Sequence, residues 1–406
     1  MEKNKFFLIP FIALLAIALL FLTAQIPTAK MEPKNLPIAL VNEDAGEVGA
    51  TLLKQLKKNE PTTIHFIEYD SVKEMKTAMD ERETYGGIVI PKAFSKQLAS
   101  LQTDAPTQST LQLYINEGAN PALATSIQTI LEKISTQLNT TLSAQIADKL
   151  QQGTDAASKQ IATQLEGMLQ MLPAAAAPQA ENAFKTLPTM ISLVQPKSIA
   201  ILAQPVTTEL IKVNAAGKLT SAPTALFTPV WVGSLLGAAM LYLALSKRSF
   251  AETRTMRKFQ AIQSLIPIVY GLFAGFIITW FATWILGYAF DSFLQIALFV
   301  SLAVTAFCYM MLATIKWLKL PSAALFGLLI FFGLPLIQVV PEMVPHFYSA
   351  YILPWLPMKF LIEGLKELLF FDNSFMNHNT NVLIGIAIVS FIVIWLKNVV
   401  TKKEAA

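Results

Sequence analysis

The most concentrated charge in the sequence is a basic run at residues 246–260, which carries five cations and one acid. Its cations are Lys247, Arg248, Arg254, Arg257 and Lys258. The run lies between two long apolar stretches, and Lys and Arg beside membrane spans favour the cytoplasmic side. We therefore expect a cytoplasmic loop at which a cytosolic partner docks.

The sequence lacks the residue patterns of an ion relay, a phosphate-binding loop, a serine hydrolase and a metal site. No predicted span carries an ionisable residue near its centre, which disfavours a proton or ion relay. The Gly217-Lys218 pair lacks the preceding glycine of a phosphate-binding loop, and no GxSxG elbow is present. The histidines have no partners at metal-ligand spacing, and the single cysteine, Cys308, excludes an intrachain disulfide. We expect no enzyme activity, no cofactor and no metal site.

The composition is that of a membrane protein. Hydrophobic residues make up 54% of the chain and charged residues 14%, against about 25% charged in a soluble globular chain. Six apolar runs have roughly the length of a membrane-spanning helix, about 20 residues. They are residues 6–25, 225–245, 261–286, 293–315, 321–340 and 382–396. The positive excess lies in the segments that flank these spans, which argues against nucleic acid as a partner.

Basic residues at the span ends orient the chain. Lys3 and Lys5 precede the first run, and lysines also follow the last, so we expect both termini in the cytoplasm. We expect a multi-pass protein of a bacterial plasma membrane that contacts the lipid bilayer along its spans. Residues 6–25 form an uncleaved anchor or, alternatively, a cleaved signal peptide.

The polar stretch between the first two spans is large enough to form a domain. Its first part alternates strand-like and helical patterns, which predicts a small α/β sheet. The strand candidates are residues 36–42, 62–68, 85–90 and 110–116, and the helix candidates are residues 48–58, 71–83 and 92–101. We therefore predict a polytopic α-helical membrane protein with six transmembrane helices and an extracellular α/β domain inserted between spans one and two.

Four segments follow from these patterns. They are an N-terminal transmembrane anchor at 1–26, the extracellular α/β domain at 27–121, an extracellular helical segment with a return to the membrane at 122–224, and a five-helix membrane domain at 225–406. In the third segment, an apolar stripe at residues 123–150 predicts an amphipathic helix that Gly153 interrupts. This helix packs on its own domain or pairs with a second copy. Residues 205–213 are strand-like and lead back to the membrane.

The last outer segment contains a second candidate site, an amphipathic helix at residues 359–371. Its candidate residues are Lys359, Phe360, Glu363, Leu365 and Leu368. The apolar residues share one face, and Lys359 is spaced for an ion pair with Glu363. We expect this helix at the outer membrane interface, where it is either peripheral or part of a gate.

Two GxxxG pairs occur in the predicted spans. They are Gly233 with Gly237 and Gly271 with Gly275. Such pairs allow helices to approach closely. We expect packing within the chain, with a dimer seam as the alternative.

Several short motifs resemble those of one known family. They are IALVNEDAG at residues 38–46, IPKAFSKQL at 90–98, LYINEGANP at 113–121 and FTPVWVG at 227–233. Their order and spacing resemble the phage-infection-protein family, also called YhgE/Pip, whose members are similar to ABC-2-type permeases. The motif residues of unknown role are Asn42, Glu43, Asp44, Gly46, Asn116 and Glu117. Residues 42–46 are typical of a turn that ends a strand, with a ligand-contacting loop as the alternative.

The resemblance implies a transport function. In the ABC-2 class, six spans form half a transporter, a cytoplasmic loop between spans two and three couples to a separate ATPase, and amphipathic helices precede span six outside. The resemblance therefore implies an export permease of unknown substrate, with a cytosolic ABC ATPase and a second permease chain, identical or related, as partners. The alternative is a membrane-anchored surface receptor, adhesion or secretion-accessory protein whose spans only anchor the outer domain.

Overall fold

The computed structural model describes residues 34–101, 107–170, 204–246, 253–371 and 373–404. Two compact units divide the chain. The sheet unit comprises Pro37–Asn116 and Ala122–Val213, and the helical unit comprises Glu117–Pro121 and Asn214–Ala406. The predicted first span, at residues 6–25, lies outside the described residues.

The sheet unit is built on a five-stranded mixed sheet. Its strands are β1 (Leu36–Asn42), β2 (Ile64–Tyr69), β3 (Gly86–Ile90), β4 (Ser109–Asn116) and β5 (Val206–Val213). They lie in the order β2-β1-β3-β4-β5, with β1 parallel to β3, β3 antiparallel to β4, and β4 parallel to β5. The four predicted strands are confirmed, and the strand-like residues 205–213 join the same sheet as its fifth strand.

Three short helices follow the strands as predicted: α1 (Glu47–Lys58), α2 (Val72–Asp80) and α3 (Phe94–Ser100). The predicted cap of α2 is present, because Glu74 N donates to Ser71 Oγ at 3.2 Å. α2 packs closely on β3, since a Cβ on Gly87 would lie 2.8 Å from Met75 Sδ. Glycine at this position therefore lets the helix rest directly on the strand.

The long helix α4 (Pro121–Gln170) is continuous over 50 residues. The predicted interruption at Gly153 is wrong, because one glycine costs a helix interior only about 1 kcal/mol and its neighbours favour a helix. The stripe packs on its own sheet as far as residue 142, with Ile127 and Leu131 fully buried. Asn139 fastens β5 by two bonds: its Nδ2 donates to Val206 O at 2.5 Å, and Val206 N donates to its Oδ1 at 2.9 Å.

The helical unit contains α5 (Ala222–Ser246), α6 (Thr253–Leu286), α7 (Phe293–Leu318), α8 (Ala323–Ile337), α9 (Pro357–Phe370) and α10 (His378–Glu404). Among the described residues, five stretches are long and apolar enough to cross a membrane. They are Gly217–Ala244, Arg254–Leu286, Phe293–Leu318, Leu320–Ile337 and His378–Val399. By length and composition they confirm the five predicted spans that lie within the described part of the chain.

Helix α7 is the centre of the helical unit. Within its most apolar window 78% is buried in the protein, against 17–33% for the other four candidate spans. Phe307 and Cys308 are fully buried on it. Trp231 of α5 joins this core, because its ring meets the edge of Phe307 at 5.0 Å and its Nε1 donates to Phe326 O at 3.2 Å.

The two GxxxG pairs bring neighbouring helices of the same chain together. A Cβ on Gly275 of α6 would lie 2.6 Å from Ser301 Cα of α7, and a Cβ on Gly237 of α5 would lie 2.7 Å from the Tyr270 ring of α6. Tyr270 also donates to Gly233 O at 2.7 Å. Packing within the chain is therefore confirmed for both pairs.

Replacing Gly275 by alanine is expected to lower the thermal unfolding midpoint of the detergent-solubilised protein. The added Cβ would press on the α7 backbone at Ser301, and overpacking of this kind costs about 1–3 kcal/mol. Gly385→Ala in α10 is the matched control, because no described atom lies within 4 Å of its Cβ position. Equal midpoints for the two variants, measured by tryptophan fluorescence, would contradict the close α6–α7 packing.

Candidate functional site

Three helix ends meet at one end of the helical unit, which we call the basic end. Helix α6 begins there, and α7 and α10 end there. Trp317 Nε1 of α7 donates to Val393 O of α10 at 3.3 Å, and Lys397 Nζ lies 4.8 Å from the centre of the Trp317 ring. Cations of these helix ends include Arg254, Arg257, Lys258, Lys316 and Lys397. The fold thus gathers basic residues that the sequence assigned to one side of the membrane.

The exposed part of the basic end is the start of α6. Arg254, Arg257 and Lys258 are all exposed there. They lie on the helix rather than in a loop, because α6 begins at Thr253, ahead of the apolar run. Lys247 and Arg248, the other two cations of the predicted site, lie outside the described residues.

Lys316 is a buried cation at the same end. It is 6% exposed, and its Nζ donates to Asn398 Oδ1 of α10 at 3.1 Å. A buried charge requires a polar partner because its desolvation is costly. Lys316 directly follows the predicted span at residues 293–315, a position that by itself indicates a side of the membrane. A signal for its burial was its position four residues after Leu312 and eight after Cys308, on a packed face of α7.

The second candidate site, helix α9, packs against α7 and α8. A Cβ on Gly364 would lie 2.9 Å from Phe299 Cε2 of α7, and a Cβ on Gly333 of α8 would lie 3.0 Å from Met358 Cε. The fully covered side chains of α9 include Met358, Leu361, Ile362 and Leu365. Of the predicted residues, Leu365 is buried, and Lys359, Phe360, Glu363 and Leu368 are partly buried. The apolar face of α9 therefore covers other helices of the unit.

A largely buried ion pair on α9 holds the short segment Glu117–Pro121. Lys366 is 8% exposed, and its Nζ lies 3.0 Å from Glu363 Oε1 and donates to Ala119 O at 3.3 Å. Glu363 thus pairs with Lys366, and its predicted pairing with Lys359 stays a prediction. In the same region Ala216 N donates to Glu117 Oε2 at 3.0 Å.

Lys366→Met is expected to lower the thermal unfolding midpoint. It removes the ammonium and leaves Glu363, whose side chain is 20% exposed, without that cation, at a cost of about 1–3 kcal/mol. Lys359→Met is the matched control on the same helix, where the side chain is partly exposed. Differential scanning fluorimetry of the purified proteins measures both, and an equal loss in the two variants would contradict the role of Lys366.

The family-motif residues of the sheet unit tie strand ends to helices. Asp44, which is 7% exposed, follows β1 and receives two bonds from Ser95 in the first turn of α3. Ser95 N donates to its Oδ1 at 3.2 Å, and the Ser95 hydroxyl donates to its Oδ2. Asn42 Oδ1 accepts from Asp44 N at 3.1 Å and closes the turn. Asp44 thus caps a helix that lies 51 residues further along the chain.

The remaining motif residues have similar surroundings. A Cβ on Gly46 would collide with the Ser95 side chain, so glycine leaves room for the Asp44 bonds. Glu43 N donates to Ile90 O at 2.9 Å. Asn116 Nδ2 donates to Met79 O at 2.6 Å and to a second backbone carbonyl. These contacts favour a structural turn over a ligand-contacting loop.

One tyrosine hydroxyl of the sheet unit has a shifted pKa. Burial raises the pKa of the Tyr114 hydroxyl above its ordinary value, and nearby Glu209 and Glu43 add to this effect. The hydroxyl therefore stays protonated at neutral pH.

Within the described part of the chain, no group of three or more His, Cys, Asp or Glu side chains could hold a metal ion.

Asp44→Asn is expected to speed amide hydrogen exchange in β1 and α3 of the full-length protein. Asparagine has one acceptor oxygen where aspartate has two, so one of the two Ser95 donors loses its charged acceptor, at a cost of about 1–3 kcal/mol. Glu43→Gln makes the same charge change one residue away on a partly exposed side chain. If the two variants exchange alike by mass spectrometry, Asp44 does not act as the cap.

The five candidate spans, together with the sheet unit, define a polytopic helical membrane protein with an N-terminal α/β domain. The sequence pattern described as "ABC-2 family transporter protein" matches residues 5–396. The chain therefore belongs to the ABC-2 family of transporter membrane proteins, and the class inferred from the motifs is confirmed.

A relative with a similar sequence is the uncharacterized protein YhgE of Bacillus subtilis (strain 168). The two are 27% identical over 148 residues, which make up 34% of this chain and 19% of YhgE. The resemblance to the YhgE family is thereby confirmed, over a minor part of that protein's length. No solved structure matches.

Proposed function

We propose that this protein is a permease subunit that exports a substrate and is driven by a separate cytosolic ATPase. The observation that carries the proposal is the exposed cationic start of α6 in a chain of the ABC-2 transporter family. On this proposal the basic end faces the cytoplasm, and residues 27–224 lie outside the cell. A second permease chain, identical or related, completes the transporter.

The proposed coupling surface comprises Lys247, Arg248, Arg254, Arg257 and Lys258. Arginine presents several N–H donors in a planar fork, which suits carboxylates on a partner protein. Exposed charges of one sign also speed the encounter with a surface of opposite charge. The partner that this surface fits is therefore an ATPase with an acidic contact face.

Helix α6 connects the basic end to the opposite end of the helical unit without a break. Its 34 residues extend for about 51 Å, well beyond the roughly 30 Å of a hydrocarbon core. Trp280 and Trp284 stack at 5.8 Å near its far end, as aromatic residues do at a membrane interface. On this proposal, an ATPase displaces the first turns of α6, and the movement passes along this one helix, which continues through Pro267, to its far end.

Helix α7 is in close contact with both α6 and α9 and so connects them. Gly275 of α6 lies against Ser301 of α7, and Phe299 of the same helix lies against Gly364 of α9. Tightly packed contacts of this kind shift together rather than deform. We propose that α9, with Lys359, Phe360, Glu363, Leu365 and Leu368, acts as the gate at the outer end.

Reversal of two exposed charges, Arg254→Glu with Lys258→Glu, is expected to remove the ATPase from the purified complex. Like charges facing each other at an interface cost several kcal/mol. The tagged protein is purified in mild detergent from its native cell, and the accompanying proteins are quantified by mass spectrometry. Lys54→Glu with Lys58→Glu, both exposed on α1 at the same spacing, is a control of equal charge change away from the basic end.

Two results would contradict the proposal. An ATPase that accompanies both the wild type and the basic-end variant would mean that it docks elsewhere. Recovery of the wild type with envelope or secretion components and without an ATPase would favour the surface receptor or secretion-accessory function instead.

A further inference from the structure

A cavity of about 430 Å³ lies between α6 and α10 at the basic end. Its volume is within the range of about 300–1,000 Å³ that small-molecule sites occupy. The apolar wall is formed by Ala261, Leu265, Phe391, Trp395 and Val399. The polar wall is formed by Arg257, Gln260, Ser264 and Asn398. The cavity is therefore amphipathic, and it lies where two candidate spans reach their basic ends.

The polar wall contains a buried amide that faces the cavity. Gln260 is 8% exposed and lines the cavity, and its side-chain amide carries two N–H donors. A phosphate oxygen in the cavity would accept a hydrogen bond from this amide. The neighbouring Ser264 hydroxyl, by contrast, donates to Gln260 O at 2.8 Å and is satisfied.

The charge at the cavity is positive. Arg257 is on its wall, and Lys316 lies directly behind the wall, bonded to the lining residue Asn398 at 3.1 Å. None of the described lining residues is acidic. A negatively charged group in the cavity would contact the Arg257 guanidinium and the Gln260 amide. The Lys316 ammonium lies behind them, bonded to Asn398.

We propose that this cavity binds an anionic phospholipid of the cytoplasmic leaflet. Its phosphate lies at Arg257 and Gln260, and its acyl chains lie along Leu265, Phe391 and Trp395. Basic pockets between spans at the cytoplasmic face suit such headgroups, and the apolar wall favours acyl chains over a soluble anion. The assignment rests on the proposed function only for the side of the membrane that the basic end faces.

The cavity distinguishes Arg257 from its neighbour Lys258 on α6. Successive helical residues lie about 100° apart around the axis, and Arg257 lines the cavity whereas Lys258 does not. We therefore assign Arg257 to the lipid rather than to the coupling surface, where Arg254 and Lys258 remain available to a cytosolic protein.

The test uses the full-length protein, purified without any ATPase and placed in phosphatidylcholine nanodiscs. Brominated phosphatidylglycerol or brominated phosphatidylcholine is titrated in, and quenching of tryptophan fluorescence is measured. Subtracting the signal of Trp395→Phe isolates the tryptophan on the cavity wall. We expect Trp395 to be half-quenched at about fivefold less brominated phosphatidylglycerol than phosphatidylcholine, since one basic residue near a membrane surface contributes about 1 kcal/mol.

Arg257→Gln should abolish this preference, and Arg257→Lys should retain most of it, which separates loss of charge from loss of fold. Lys258→Gln is the matched control and should keep the full preference. Equal quenching by both lipids, an unchanged preference in Arg257→Gln, or a preference that persists in Trp395→Phe would overturn the assignment. Displacement of the brominated lipid by inorganic phosphate would overturn it in favour of a soluble anion. Because no ATPase is present, these results are independent of whether the coupling proposal holds.

Discussion

The close approach of α6 to α7 is the constraint on which the helical unit depends. Lipid chains are as apolar as leucine, so helices in a bilayer associate through tight packing and hydrogen bonds rather than through the hydrophobic effect. Gly271 and Gly275 lie opposite Thr305 and Ser301. Both hydroxyls donate to carbonyls of α7 itself, Ser301 to Ala297 O at 2.7 Å and Thr305 to Ser301 O at 2.8 Å. Small side chains on both helices thus bring the backbones together, and α7 becomes the element that the other helices surround.

Elements with a strong local pattern could be predicted from the sequence, and contacts between distant residues could not. The spans and the first four strands follow from hydropathy and alternation, which are local properties. β5 belongs to the sheet through its pairing with β4, in which Val206 lies opposite Ser109, 97 residues earlier in the chain. Trp231 shows the same limit, because it lies in the core against Phe307, a residue of another helix. The partner of Lys316, Asn398, lies 82 residues further along the chain and could not be predicted from the sequence.

Two family motifs that are separate in the sequence form one contact in the fold. Residues 38–46 contribute Asp44, and residues 90–98 contribute Ser95, whose backbone and hydroxyl both donate to the Asp44 carboxylate. Each motif alone suggests a turn or a helix start, and a sequence without aligned relatives gives no sign that they meet. A buried carboxylate at a helix start needs specific donors. Selection on this pairing would preserve both motifs without any ligand.

Cys308 is the single cysteine of the chain, and it is fully buried in α7. Thiol reagents react with accessible thiolates, so a thiol in this core is protected from them. The natural sequence is therefore already a suitable background for site-specific labelling. A cysteine placed at exposed Lys258 and another at exposed Trp355 would take spin labels while Cys308 stays unmodified. The distance between two such labels would report directly how the ends of the membrane domain move relative to each other during a transport cycle.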